Sequence, residues 1–325
     1  MIWFAALRTA IDAGTVVVLA GMGELLTERV GVLNLGQEGL IGIGAVSAVI
    51  AADMGAPPWL AFLVGMIAAG LLGFLFATSV VVVRTNQVLT GLAVVLIGVG
   101  LSNQLGNDYQ GSPVQHTFGP LRIPILADIP QLGPALFDHA IVVYLAYLVL
   151  PFLVWFLLFR TRHGLNLRAV GEDPASADAA GINVTGMRLA YTTLGASLSG
   201  AGGAFLMLGF TPVWAVDVAR GRGWVALAVV IFAAWRPFRL VGGALLFGAM
   251  ISLGFIAQQQ NWGVSGFLLA MLPYLVTLIL IVVPAALVRF GVRARSVSSP
   301  AALAQPYSAR IAGGDVPASP GQLCR

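Results

Sequence analysis

The sequence predicts an all-α fold: a polytopic transmembrane helix bundle of about 8–10 spans, with broken or re-entrant helices. Three observations predict it. Of the 325 residues, 58% are hydrophobic and 9% charged, with a mean hydropathy of +0.93, so the apolar runs exceed what one soluble core can bury. Several runs reach the roughly 20 residues that a helix needs to cross the hydrocarbon core. The 40 glycines crowd into those runs together with alanine, as in Ser199 to Gly203 and Ala244 to Gly248, and small residues let helices approach closely in lipid.

In chain order the candidate spans are 10–27, 39–53, 59–83, 88–106, 139–159, 190–210, 223–235, 240–257 and 264–288. The run at 223–235 is short, and those at 39–53 and 240–257 are marginal, which leaves the number of crossings open. The N-terminal stretch lacks a basic segment followed by a small-residue cleavage site and reads as the lead-in to the first span. Alternating sides through the runs puts Arg84, Arg160, Arg162, Arg168, Arg188, Arg236, Arg239, Arg289, Arg293 and Arg295 on one face, which the positive-inside rule makes cytoplasmic. The 107–138 loop, with Asp108, Asp128 and Asp138 against Arg122, is then external. Arg220 and Arg222 fall on the external side and break the rule, so that region is re-entrant or those arginines act there. Residues 1–290 form the transmembrane domain, with a long cytoplasmic loop at 160–190. Residues 291–325, rich in Ala, Ser, Pro and Gly, read as a disordered cytoplasmic tail.

Composition excludes several chemistries. All 17 basic residues are arginine, so no lysine nucleophile, Schiff base or P-loop lysine is available. The arginines sit at the ends of apolar runs and form no basic groove, which argues against nucleic acid as a partner and leaves membrane lipid. Cys324 is the single cysteine, and His116, His139 and His163 are scattered, so neither a disulfide framework nor a metal centre is expected. No catalytic residues are assigned, and a membrane-embedded enzyme lacks a nucleophile–base pair. The "LSGAG" at 198–202 resembles an ATPase signature loop, but it lies in an apolar span and reads as small-residue helix packing.

Three polar stretches carry the functional signal. "ERVGVLNLGQEGLIGIGA", residues 28–45, holds Glu28, Arg29, Asn34, Gln37 and Glu38 among glycines that disfavour a straight helix. Asn34 and Glu38, four apart, would share a helical face and line a cavity. The same residues also fit a short cytoplasmic turn, with Glu28 and Arg29 as a surface pair and Glu38 at a helix N-terminus. "RTRHGLNLRAVGEDPASADAAGINVTGMR", residues 160–188, reads as a loop enclosing one short helix that Asp173-Pro174 starts and Gly181 ends. Its small residues suit a docking element for a cytoplasmic partner, or a solvated turn. "GRGWVALAVVIFAAWRPFRLVGGALLFGA", residues 221–249, looks like a half-helix followed by a full one, with Trp224 and Trp235 as interfacial anchors.

In this order and spacing, the three stretches resemble the permease subunits of bacterial ABC importers of the branched-chain amino acid, ribose and nucleoside group, with nucleoside or simple-sugar permeases nearest. The resemblance covers about 10–290. It implies an inner-membrane, multi-pass permease without a cofactor of its own, and ATP and Mg on partner cytoplasmic ATPase subunits. It further implies a second permease subunit in a heterodimer, and an external solute-binding protein that delivers a small polar solute. Arg168, Glu172, Asp173, Pro174, Ala180 and Gly181 would then serve ATPase coupling, and Asn34, Gln37 and Glu38 the translocation path. Asp173 stands where such families often have asparagine, which leaves helix capping intact. Two alternatives stay open: a proton- or sodium-coupled secondary transporter using Glu38, and a branched-chain amino acid permease.

Overall fold

The computed structural model describes residues 2–124, 126–130, 132–289 and 299–307. The chain opens with α1 (Ile2–Arg29), turns through 30–36, and returns as α2 (Gln37–Asp53). Gly55, at φ 86°, and Pro57-Pro58 turn it into α3 (Pro58–Ala77), which a π turn extends to Val82. Arg84, at φ 64°, makes the next turn, and Asn86 caps α4 (Gln87–Gly106) by accepting the Leu89 N–H at 3.1 Å.

The following connection contains β1 (Pro120–Arg122), α5 (Leu132–Leu136) and β2 (Asp138–Ala140), the two strands pairing antiparallel with Leu121 opposite His139. This small hairpin departs from the loop expected there; Arg122 and Asp128 pair at 2.5 Å within it. It is pinned to α1 by Arg8–Asp138 at 3.3 Å and His139–Asp12 at 2.8 Å. One further membrane-length helix follows, built from α6 (Ile141–Tyr144), a π turn just ahead of Pro151, and α7 (Leu150–Arg160). Then come α8 (Arg162–Glu172), α9 (Pro174–Ala179), α10 (Val184–Phe205), α11 (Arg222–Phe232), α12 (Pro237–Gln259) and α13 (Gly266–Arg289). Among the described residues six helical stretches are long and apolar enough to cross a membrane, and α2, α11 and α13 add further apolar helices at the expected places.

The bundle is held by close backbone approach. α10 packs along α3, α1 and α2, and α1 lies against α12. Gly44, Gly65 and Gly200 converge where α2, α3 and α10 meet: a Cβ on Gly44 would overlap the backbone of Gly200, and one on Gly65 the carbonyl of Gly44. The segment 198–202 is therefore helix packing inside α10, and Gly248 of α12 sits against the carbonyl of Ala10 in the same way.

Arg220 and Arg222 are explained by the path of the chain. Residues 211–221 enter the bundle and α11 starts deep inside it, at the level of Glu38, before running to the end where Arg29 lies. The region is re-entrant, and α11, with 11 residues, is a half-helix. Arg168, Arg188 and Arg236 gather with Arg29 at one end of the bundle. Arg293 and Arg295 lie outside the described residues. Of the segment expected to be disordered, residues 299–307 turn back and bond to that same end, and the remainder of 291–325, with Cys324, lies outside the described residues.

Candidate functional site

The polar residues of 28–45 stitch the break between α1 and α2. Asn34 is not on the same helix as Glu38: it lies in the turn before α2 begins at Gln37, because the turn glycines end helical pairing there. Gly31 takes φ 89°, a conformation that a side chain would strain. The turn's freed amides are then satisfied by side chains, as burial requires. The Asn34 N–H donates to Glu24 Oε1 at 3.1 Å, the Gly36 N–H to Asn34 Oδ1 at 2.9 Å, and the Leu33 N–H to Gln87 Oε1 at 2.8 Å. Gln37 Nε2 donates to Glu24 Oε2, and Ser199 Oγ to Gln37 Oε1, tying α10 into the same network.

Asn34 and Gln37 are thus fully buried and do not line the cavity that Glu38 borders. Glu38 is different. Its carboxylate accepts the N–H groups of Gly221 and Gly223, at 2.5 and 2.8 Å, and so occupies the N-terminus of α11. It also borders a cavity of about 250 Å³ lined by Ser102, Asp217, Arg220 and Gly221. Arg220 faces a second cavity of about 180 Å³ with Arg222, Gln258 and Tyr274. Arg222 is buried and donates to the carbonyls of Val218 and Ala219, each at 3.2 Å. The re-entrant loop is itself bent: Asp217 and Arg220 take φ 53° and 45°, and Asn103 holds Asp217 through bonds of 2.8 and 3.0 Å.

Two expectations for this region need correcting. Glu28 and Arg29 are not a surface pair: Glu28 is buried and accepts the Trp235 indole N–H at 2.5 Å, while Arg29 donates to the Trp235 carbonyl at 3.0 Å. Trp235 is accordingly a buried strut between α1 and the α11–α12 turn and not an interfacial anchor; Trp224, 38% exposed, stands in the first turn of α11 beside the Glu38 contact, at the inner end of the half-helix. Glu24 was missed by sequence reasoning, although a carboxylate within an apolar span is itself a signal.

At the arginine-rich end, the short helix expected between Asp173 and Gly181 is α9. Asp173 Oδ1 accepts the N–H groups of Ala175 and Ser176 at 3.1 Å, its other oxygen accepts the Ser176 hydroxyl, and Pro174 takes the first helical position. Those bonds, first the Ser176 hydroxyl and then the Ser176 amide, hold the Asp173 carboxyl below the usual carboxylate range. Ala180 closes the helix and Gly181 leaves it at φ 81°, where an added Cβ would meet nothing, so glycine is needed for conformation alone. Ala177 is buried while Ala175, Ser176, Asp178, Ala179 and Ala180 are exposed. The approach to α9 is helical too, as α8, where a loop was expected; Thr161 caps it through the Gly164 N–H at 2.9 Å. Arg168 lies on α8 with its guanidinium 5.2 Å from the Phe159 ring, and Glu172 at its end accepts the Ala301 N–H at 3.2 Å. The path residues and the coupling residues therefore form two separate sites. Among the described residues no cluster of His, Cys, Asp or Glu is placed to hold a metal.

Comparison with known proteins agrees with this architecture. A family model described as "Branched-chain amino acid transport system / permease component" matches residues 7–287. A Haloferax volcanii protein, named provisionally as a glucose ABC transporter permease, is 38% identical over 78% of this chain and 78% of its own length. A Bacillus subtilis guanosine ABC transporter permease is 31% identical over 81% of this chain and 86% of its own. A Lactococcus lactis nucleoside ABC transporter permease is 32% identical over 82% and 88%. The chain is therefore a multi-pass membrane protein and a transport permease subunit of an ABC importer, and it belongs to the branched-chain amino acid transport system permease family.

Proposed function

We propose that this permease carries a nucleoside or simple sugar, and that α9 is the element through which a cytoplasmic ATPase subunit drives it. The observation that carries the second half is α9 itself. A six-residue helix of small residues, capped at both ends and exposed on its outer face, is costly to keep ordered for its own sake. It becomes economical if a partner packs on it. Asp173 and Pro174 start the docking helix, Ala180 and Gly181 end it, and Arg168 and Glu172 hold α8 behind it. ATP and Mg bind on the ATPase subunit.

For the path, Glu38 at the cavity edge, with Asp217 and Arg220 facing the same space, offers acceptors and donors suited to hydroxyl groups. Asn34 and Gln37 support that wall from behind through Glu24. The substrate class rests on the relatives named for guanosine, nucleoside and glucose transport. An external binding protein delivers the solute, and a second, different permease subunit completes the path. A carboxylate committed to two backbone amides is poorly placed to carry an ion across, so Glu38 is assigned to α11 and not to ion coupling.

The test is uptake into proteoliposomes holding the assembled importer, with labelled guanosine competed by other nucleosides, glucose and leucine. ATP-dependent uptake blocked by nucleosides or by glucose supports the reading. Uptake blocked by leucine alone would move the assignment to branched-chain amino acids.

A further inference from the structure

Nine residues near the C-terminus, 299–307, lie in a groove between the turn after α1, the α8–α9 junction and the start of α10. The fit is specific. The Ala302 N–H donates to the Gly171 carbonyl at 3.0 Å, and the Ala301 N–H to Glu172 Oε2 at 3.2 Å. Arg188 Nη1 donates to the Gln305 carbonyl at 3.1 Å. Ala302 is 4% exposed and its carbonyl packs against Gly31, while Leu303 packs onto the hydrophobic core. The segment keeps its own shape through turns closed by Leu303 N–H to Pro300 O and Gln305 N–H to Ala302 O, at 3.1 and 3.2 Å.

Two of these three bonds fall on Gly171 and Glu172, the residues immediately before the α9 cap, and the third on Arg188 of α10. They leave Asp173, Ser176 and Asp178 to Ala180 uncovered. A segment that blocked the partner would lie over that outer face; this one grips the α8–α9 junction behind it. Ala302 bonds to Gly171 while its carbonyl lies against Gly31, so the segment joins the base of α9 to the turn that ends α1.

We propose that residues 299–307 are a strap that fixes the coupling helix to the transmembrane bundle. This rests on α9 being the docking element. A small residue at 302 is required, because a larger side chain there has no room in the groove. Movement of α9 by the ATPase is then passed to α1, and through Glu28, Glu24 and Trp235 to the path, because the strap prevents α9 from swinging freely about Gly171.

The experiment uses the assembled importer and two variants: a chain ending after residue 298, and the full chain carrying Ala302→Arg. Amide exchange over 171–181 and ATP-dependent uptake are read in both, with Ala302→Ser as the conservative control. Exchange should rise about tenfold in both variants, the order expected for the loss of one or two hydrogen bonds. Uptake per ATP hydrolysed should fall several-fold, and Ala302→Ser should behave as the parent. Unchanged exchange in either variant overturns the strap, as does raised exchange with unchanged uptake per ATP. If instead a label on Ala179 of the parent never meets the ATPase, the docking reading fails, and the exchange result still reports on the strap's grip.

Discussion

Glu38 Oε2 accepts the backbone N–H of Gly223 at 2.8 Å, joining the start of α2 to the start of α11 across 185 residues of sequence. The contact needs both partners as they are. A Cβ on Gly223 would overlap the Glu38 backbone, so the two helix starts meet only because position 223 has no side chain. Substituting Gly223→Ala forces the helices apart, at about 1–3 kcal/mol. Replacing Glu38 with alanine strands the buried Gly223 amide, at about 1–3 kcal/mol, and frees the half-buried Gly221 amide at less. Glu38→Gln keeps one acceptor oxygen and falls between Glu38→Ala and the parent. Thermal unfolding of the detergent-solubilised chain should show that order, with uptake falling alongside.

Glu24 organises the α1–α2 turn, accepting from both Asn34 and Gln37. Glu24→Leu leaves those donors without partners in a fully buried site, and should cost about 2–4 kcal/mol. Ser199→Ala removes the outer link to Gln37 and a bond within α10 to the Gly195 carbonyl, and should cost about 1 kcal/mol. Their thermal midpoints should differ accordingly.

Close packing can be checked with a pair of glycines. Gly44→Ala meets the Gly200 backbone and should destabilise the bundle by about 1–3 kcal/mol. Gly100, on α4, has nothing within 4 Å of an added Cβ, so Gly100→Ala should be neutral or stabilise by roughly 0.5–1 kcal/mol through helix propensity. A comparison of unfolding midpoints decides it.

The helices were legible because hydropathy and length are local properties, and each of the nine apolar runs contains helix, although that at 139–159 opens in β2 and that at 223–235 ends in a turn after Phe232. The α9 cap was legible for the same reason: Asp-Pro at one end and glycine at the other act within a single turn. Partner choice across the bundle was not. Nothing near Trp235 announces that its indole meets Glu28, or that Glu38 would meet an amide at 223, since those pairs form only when distant segments fold together. The strap was hidden by its composition: Ala and Pro at 300–302 look structureless until a groove of matching shape exists.

Asp173 gives a pH signature. Its carboxyl titrates lower in the folded chain than in an unfolded one, so its cap is in place above the ordinary aspartate value of about 4. The contribution is lost as pH falls through the lowered folded value. ATPase binding should therefore show no Asp173-dependent change between about pH 5 and 8. Asp173→Asn, which can still cap, should bind nearly as well as the parent, and Asp173→Ala several-fold more weakly in a pull-down with the ATPase subunit.

The central claim is that α9 seats in the ATPase. The most direct measurement places a cysteine at the exposed Ala179, in a chain with Cys324→Ser, and applies a short bifunctional cross-linker to the purified importer. The account predicts a cross-link to the ATPase subunit, with ATP-driven uptake abolished once it forms. Efficient co-purification of the ATPase with no cross-link from Ala179→Cys, and uptake indifferent to the reagent, would contradict it.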